Sequence, residues 1–213
     1  MAGKIIFISV LIALFDLDNF SLAQIKISRP IICGPIVGFV TGDLFTGISI
    51  GILFELFLLH LLPLGAAITI SPPFITMITI SLMRFISPGG FNPAVSVFLI
   101  AVVFPIALIF SSIEVFQKKV INKRITYFLD KTVEKGLFNN IEKATYFGVV
   151  LNFLRTFIFS LLTIFLGIKI LPKLFIQLSF LHRFFEKTYP FLFAIGIAVS
   201  FNTFLFKIKK GVK

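Results

Sequence analysis

One stretch of the chain, residues 29–67, constrains the fold more than any other. Its sequence is RPIICGPIVGFVTGDLFTGISIGILFELFLLHLLPLGAA, which is largely apolar yet contains two early prolines and two carboxylates, Asp43 and Glu55. Its early glycines recur at four-residue spacing, at Gly34, Gly38 and Gly42 and then at Gly47 and Gly51. Irregular backbone and ionised groups at membrane depth are tolerated only against protein or a watered cavity. We therefore expect broken helices here, built around a binding site.

The composition places the whole chain in a membrane. Of its 213 residues 58% are hydrophobic and 30 are phenylalanine, whereas soluble domains are about 45–50% apolar. Several apolar runs approach the roughly 20 residues that cross a bilayer. We expect an all-α, polytopic membrane protein with about six to seven membrane segments, some of them broken or re-entrant. Residues 1–213 then form a single membrane-embedded domain, without room for a soluble catalytic domain.

The formal net charge of +11 is best explained by membrane topology rather than by nucleic-acid binding. Basic residues cluster in residues 114–146 and in the tail 207–213, and both segments flank apolar spans as the positive-inside rule describes. We expect a plasma-membrane (inner-membrane) protein whose amphipathic loop 114–146 and basic tail 207–213 are cytoplasmic. The single cysteine, Cys33, and two distant histidines give no constellation for catalysis, a metal or a cofactor, so none is predicted.

The N-terminal apolar run 5–15 is predicted to be a short first membrane segment rather than a signal peptide. Two aspartates follow it, Asp16 and Asp18. We expect Asp16 in particular to be solvated at the membrane interface.

The central stretch divides into two helical parts. Residues 30–42 are too short to span, which predicts a half-helix, and Gly42-Asp43 predicts a break before a helix over 44–62. The residues Gly47, Gly51 and Glu55 are four apart and share one helix face. Helix packing alone explains each glycine, but an ionised group at mid-helix costs about 2.5–3.5 kcal/mol unless it meets a partner or a cavity. We therefore predict a functional role for Glu55.

The remaining chain alternates between apolar spans and polar breaks. The predicted elements are a stretch 64–83 broken at Pro72-Pro73, a turn at 87–90, a span at 93–113, the loop 114–146, a span at 147–171, an interfacial amphipathic helix at 174–186 and a last span at 189–206. Asn152 and Arg155 are three apart and share a face. Arg155 either extends to the interface or lines a cavity, and the sequence leaves both open.

Three segments in order, RPIICGPIVGFVTGD, GISIGILFEL and PLGAA, resemble the membrane subunit IIC of the mannose/fructose/sorbose family of phosphotransferase-system (PTS) sugar transporters. The family pattern is Arg-Pro, spaced glycines, Gly-Asp, Gly-x-x-x-Gly-x-x-x-Glu and Gly-Ala-Ala. Its positions here are Arg29, Pro30, Gly34, Gly38, Gly42, Asp43, Gly47, Gly51, Glu55 and Gly65. The segment LDNF at 17–20 is similar to the family's Leu-Asp-x-Phe, and the Asn152-to-Arg155 segment is similar more loosely.

The resemblance implies a sugar-translocating subunit that works in an oligomeric complex with a IID membrane subunit and soluble IIB and IIA phosphocarriers. Those partners, rather than this chain, would carry the phosphoryl group. The substrate would be a hexose or an amino sugar. Carboxylates suit sugars because each can accept several hydroxyl hydrogen bonds. The expected substrate-binding residues are first Glu55, then Asp43 and Asp18, and then Asn152 and Arg155.

Two other functions remain open from the sequence. Family members generally run longer, with further glycine-rich segments toward the C-terminus, whereas FLFAIGIAVS here contains few glycines. The chain could therefore be a shortened regulatory or assembly subunit without transport. It could also be the membrane component of a transporter outside the PTS.

Overall fold

Every described element of the protein is helical. The computed structural model describes the backbone of residues 2–20, 26–58, 70–133 and 139–211, and the side chains of 3–18, 26–58, 70–120 and 146–202. Seven α-helices occur in these residues: α1 (Ala2–Phe20), α2 (Pro30–Thr41), α3 (Leu44–Leu58), α4 (Pro72–Ile86), α5 (Pro93–Val133), α6 (Asn139–Gln177) and α7 (His182–Gly211). The all-α prediction is confirmed.

Three described helical segments are long and apolar enough to cross a membrane. They are Pro93–Val120, Tyr146–Gln177 and Ser179–Asn202, and α2, α3 and α4 are shorter apolar helices. The chain is therefore a membrane protein, while the number of six to seven segments stays a prediction. Over the 18-residue apolar stretch of each segment, 56% is buried inside the protein in the first, against 17% in the second and 6% in the third. The last two helices thus leave broad apolar faces for lipid or protein neighbours.

The central stretch forms the predicted helical hairpin. α2 begins at Pro30, where a missing N–H costs nothing because the first helical N–H groups lack partners anyway. It ends at Gly42, whose φ of +84° is the left-handed conformation that glycine adopts at helix ends. With 12 residues, α2 is about 18 Å long at 1.5 Å per residue, well short of the roughly 30 Å hydrocarbon layer. α3 starts at once, so the half-helix and the break are confirmed.

The two arms of the hairpin touch through their backbones. A Cβ atom on Gly34 would lie 2.6 Å from the carbonyl oxygen of Gly47, and one on Gly38 would lie 2.8 Å from the Cα of Gly47. At Gly51 the added atom would be 2.7 Å from the carbonyl oxygen of Pro30. Small residues of this kind let membrane helices approach closely. The spaced glycines of both arms therefore form one shared interface.

Helix α4 lies at the centre of the protein. Every residue from Pro73 to Met83 is buried, and the ring of Phe74 stacks on that of Phe110 in α5 at 4.2 Å between centroids. The two prolines of the predicted break at Pro72-Pro73 occupy the first turn of α4, where they are well tolerated, and the two residues before them, Ile70 and Ser71, are not helical. Residues 64–69 of that predicted stretch lie outside the described residues.

The C-terminal helices are longer than predicted. The span expected at 93–113 continues as α5 to Val133, and α6 begins at Asn139. The described parts of the polar segment 114–146 therefore belong to these two helices. The interfacial helix expected at 174–186 is wrong as a separate element. α6 runs to Gln177, and a 3₁₀ turn at Ser179–Leu181 leads into α7. The imidazole Nε2 of His182 lies 2.9 Å from the carbonyl oxygen of Phe175, and this contact closes the elbow between two long helices.

Candidate functional site

Glu55 lies in the last turn of α3 and contacts the beginning of α2. Its Oε1 is 2.5 Å from Nη2 of Arg29, and its Oε2 accepts a hydrogen bond of 3.3 Å from the backbone N–H of Ile31. Negative charge is favourable at a helix N-terminus, so the carboxylate is matched both by an arginine and by a helix end. The Glu55 side chain is 12% exposed and that of Arg29 is 46% exposed. We call these two residues the Arg29–Glu55 pair.

Asp43 forms the turn between the two arms of the hairpin. Its Oδ1 accepts a 3.0 Å hydrogen bond from the backbone N–H of Thr46, and its Oδ2 accepts one of 2.5 Å from the Thr46 hydroxyl. These are the contacts of a residue that caps a helix N-terminus. In this structure Asp43 therefore fixes the start of α3.

Asp18 joins the end of α1 to the segment before α2. Its Oδ2 accepts a hydrogen bond of 3.2 Å from the backbone N–H of Ser28, the residue next to Arg29. Asp18 thus bonds to the residue that directly precedes Arg29 of the Arg29–Glu55 pair.

Asp16 is buried among polar groups from two other parts of the chain. Only 3% of its side chain is exposed. Its Oδ1 accepts a 2.6 Å hydrogen bond from the Ser71 hydroxyl, and its Oδ2 accepts one of 2.6 Å from the Thr156 hydroxyl and one of 3.3 Å from Nη2 of Arg155. The prediction of a solvated interfacial Asp16 is wrong, since these partners compensate for the loss of water.

Arg155 points into the protein, which answers the question that its sequence position left open. It is 9% exposed, and its Nη1 donates to Oε1 of Gln117 at 3.1 Å and to Oδ1 of Asn152 at 3.4 Å. Its Nη2 lies 3.8 Å from Oε2 of Glu114, and its guanidinium lies over the ring of Phe110, 5.1 Å from the centroid. The shared face of Asn152 and Arg155 is confirmed.

These contacts define a buried polar group that we call the Arg155 cluster. Its members come from helices α1, α5 and α6 and from the residue that precedes α4. They are Asp16, Ser71, Glu114, Gln117, Asn152, Arg155 and Thr156. Sequence reasoning missed the roles of Ser71, Glu114, Gln117 and Thr156. A usable signal existed for Glu114, the first charged residue after the uncharged span 93–113, but none existed for Ser71.

Helix α1 carries residues that bond toward both the Arg29–Glu55 pair and the Arg155 cluster. Asp16 belongs to the cluster, and Asp18, two positions later, is bonded to the residue before Arg29. No group of three or more His, Cys, Asp or Glu suited to a metal ion occurs among the residues that the structure describes. Gly65 lies outside the described residues. The arrangement offers carboxylates, hydroxyls and guanidinium groups, which are the partners that a polyhydroxyl molecule requires.

Known proteins are similar to this chain in sequence or in fold, among them one permease component and two solved structures. The putative N-acetylgalactosamine permease IIC component 2 of Escherichia coli (strain K12) is 40% identical over 88 residues, which cover 39% of this chain and 64% of that protein. A solved structure described as a membrane protein is 18% identical, with a TM-score of 0.74 over 96% of this chain and 80% of the other. The mannose transporter ManYZ in complex with microcin E492 is also 18% identical, with a TM-score of 0.68 over the same shares. At this identity the two structures show a common fold.

The family assignment rests on a match along nearly the whole chain. The family described as the PTS system sorbose-specific IIC component matches residues 2–209. That match includes the hairpin, the Arg29–Glu55 pair and the Arg155 cluster. The chain therefore belongs to the sorbose-specific IIC family of the phosphotransferase system, as the motif at residues 29–67 implied.

Proposed function

We propose that this chain is the sugar-translocating IIC subunit of a phosphoenolpyruvate-dependent PTS of the mannose/fructose/sorbose type. The observation that carries the proposal is the glycine-packed hairpin, which brings the Glu55 carboxylate and the Arg29 guanidinium together within the matched family region. The Escherichia coli relative is a putative N-acetylgalactosamine permease component, which supports a hexose or an amino sugar as the substrate.

The proposed sugar site lies between the Arg29–Glu55 pair and the Arg155 cluster. A carboxylate offers about four lone-pair positions, and the contacts of Glu55 with Arg29 and with the Ile31 N–H leave it able to accept sugar hydroxyls as well. Arg29 is nearly half exposed, so it can donate to the same ligand. Asp18, Asn152 and Arg155 flank this region. We assign Asp43 to the hairpin turn, because both of its oxygens bond to Thr46.

The proposed partners follow from the family. A IID subunit completes the membrane assembly, and soluble IIB and IIA proteins supply the phosphoryl group that traps the sugar as it enters. The protein would lie in the plasma membrane with residues 114–146 and 207–213 on the cytoplasmic side, in agreement with their positive charge.

The test is uptake and phosphorylation of radiolabelled fructose, mannose, sorbose and N-acetylgalactosamine by cells that express the chain with its neighbouring genes. We expect removal of the gene to abolish both processes for at least one of these sugars. Glu55→Gln keeps the shape of the side chain and removes its charge, and we expect it to lower uptake of that sugar about tenfold or more, because a charged hydrogen bond contributes about 1.5–3 kcal/mol.

Gly148→Ala is the matched control, since a Cβ at Gly148 would meet no atom within 4 Å. Unchanged uptake by Glu55→Gln would remove Glu55 from the site. Uptake of unphosphorylated sugar would indicate a transporter outside the PTS. Loss of the gene without any change in uptake of the four sugars would reject the transport function.

A further inference from the structure

Two buried atoms of the Arg155 cluster have no hydrogen-bond partner among the residues that the structure describes. They are Oε2 of Glu114 and Nε of Arg155. The two side chains are 4% and 9% exposed, so water does not reach them freely. Buried polar atoms are nearly always paired, and each unpaired one costs about 1–3 kcal/mol. This unused bonding capacity lies inside an otherwise well-bonded group.

The other carboxylates near the proposed site differ from Glu114 in this respect. Asp16 accepts from three donors, and both oxygens of Glu55 have a donor. Among the described residues, Glu114 has a hydrogen-bonding partner only at Oε1, which lies 2.5 Å from Nζ of Lys118. Glu114 is therefore the buried carboxylate best able to accept a further hydrogen bond.

The geometry around the unpaired oxygen fits a group that both donates and accepts a hydrogen bond. Oε2 of Glu114 lies 3.8 Å from Nη2 of Arg155, too far for a direct hydrogen bond. An oxygen atom placed between them could lie about 2.8 Å from each. It would have to accept from the guanidinium and donate to the carboxylate, and a hydroxyl group does both. Phe110 below the guanidinium holds the donor in this orientation.

We propose that Glu114 and Arg155 together bind one hydroxyl group of the transported sugar and so contribute to the choice of sugar. This inference rests on the proposed transport function and adds to it a residue that the sequence placed in a polar loop. The contact is specific, since a hydroxyl that is absent or inverted would leave Oε2 of Glu114 unpaired.

The experiment compares Glu114→Gln with the unmodified chain in the assembled complex. The probes are the sugar transported best among fructose, mannose, sorbose and N-acetylgalactosamine, and its monodeoxy analogues. We expect Glu114→Gln to raise the KM for the parent sugar about tenfold, in line with the loss of a charged hydrogen bond. For one deoxy analogue the same substitution should change KM less than about twofold, because the partner hydroxyl is already missing.

Two further variants separate this role from a structural one. Lys118→Gln removes the ion pair with Oε1 of Glu114 but leaves Oε2 in place, and we expect KM to stay within about twofold of the parent. Arg155→Lys keeps the charge but loses the planar fork of donors, and it should reproduce the selective effect of Glu114→Gln. Thermal unfolding of each purified complex monitors folding.

The outcomes distinguish the two proposals. An equal rise in KM for the parent and every analogue would overturn the hydroxyl contact, as would an unchanged KM in Glu114→Gln, and a bound water would then account for the two atoms. The same result from Lys118→Gln and Glu114→Gln would assign the effect to the ion pair and also overturn it. Absence of transport by the unmodified complex would reject the proposed function itself.

Discussion

The α2–α3 hairpin and the Arg155 cluster place ionised groups in the membrane in different ways. In the hairpin the bonded groups are close in sequence: Glu55 and the Ile31 amide are 24 positions apart, and Asp43 and Thr46 are 3 apart. In the cluster, Asp16 and Arg155 are 139 positions apart. The hairpin can thus form from one continuous segment, whereas the cluster exists only when four parts of the chain have packed together.

The two regions also differ in what stabilises them. The hairpin depends on backbone contact at its glycines and on an ion pair whose arginine is 46% exposed. The cluster depends on an ion pair whose side chains are 9% and 3% exposed. Removing one partner from a buried pair is far more costly than weakening an exposed one. We therefore expect single substitutions to affect the cluster most.

The largest effect is expected for Asp16→Ala. It leaves the Arg155 guanidinium without its closest carboxylate and removes the acceptor of the Ser71 and Thr156 hydroxyls. We expect a loss of about 3–5 kcal/mol in the free energy of unfolding, measured by denaturant or thermal unfolding of the purified protein.

The control for that experiment is the double variant Asp16→Ala with Arg155→Met, which removes the orphaned charge as well. Its loss in the free energy of unfolding should be smaller than the sum of the losses in the two single variants, because the two residues are coupled. A melting temperature of Asp16→Ala equal to that of the unmodified protein would show that this ion pair does not join α1 to α6.

A smaller effect is expected for Gly47→Ala in the hairpin. The added Cβ would lie 2.6 Å from the carbonyl oxygen of Gly34 and 2.7 Å from the Cα of Gly38, so the two backbones must separate. Overpacking of this kind costs about 1–3 kcal/mol. Gly148→Ala is again the control, with open space around the new atom. Equal unfolding midpoints for the two variants would contradict the close hairpin interface.

The sequence predicted the hairpin well because its determinants are local. Pro30 marks the helix start, Gly42 and Asp43 mark the turn, and the glycine spacing marks the contact face. Each of these acts within one or two helical turns, so the chain order alone is informative. Pro72-Pro73 acts locally as well, because a proline pair is tolerated in the first turn of a helix, and α4 begins at Pro72.

The cluster was largely invisible in the sequence, since nothing local connects its members. Asp16 was assigned to the interface because it follows the apolar run 5–15, whereas its partner Arg155 comes from the distant helix α6. Glu114 was assigned to a polar loop because charged residues follow it. Only the packing of α1, α5 and α6 shows that these charges compensate one another in the interior.

A modest effect is expected for Asp43→Ala, which removes the cap of α3. Loss of such a cap costs about 0.5–2 kcal/mol. Asp43→Asn retains one side-chain oxygen, which can still accept from the Thr46 backbone N–H, and should stay close to the unmodified protein in thermal unfolding. A similar loss in both variants would mean that the negative charge, rather than the cap, is required at this turn.

The smallest effect on stability is expected for Glu55→Gln, because a partly exposed ion pair contributes up to about 1 kcal/mol. The same substitution should have the largest effect on sugar binding, since Glu55 is the proposed ligand residue. This contrast separates a binding group from a structural one.

The most direct test of the account is the thermal unfolding of the purified complex with increasing concentrations of the sugar that it transports. Binding to the folded state raises the unfolding temperature, and the rise grows with the logarithm of the ligand concentration relative to its Kd. We expect the unmodified complex to show this rise, and the Glu55→Gln complex to unfold near the same temperature without sugar but to lose the rise. An equal rise in both complexes, or none in the unmodified complex with any of the four sugars, would contradict a sugar site at the Arg29–Glu55 pair.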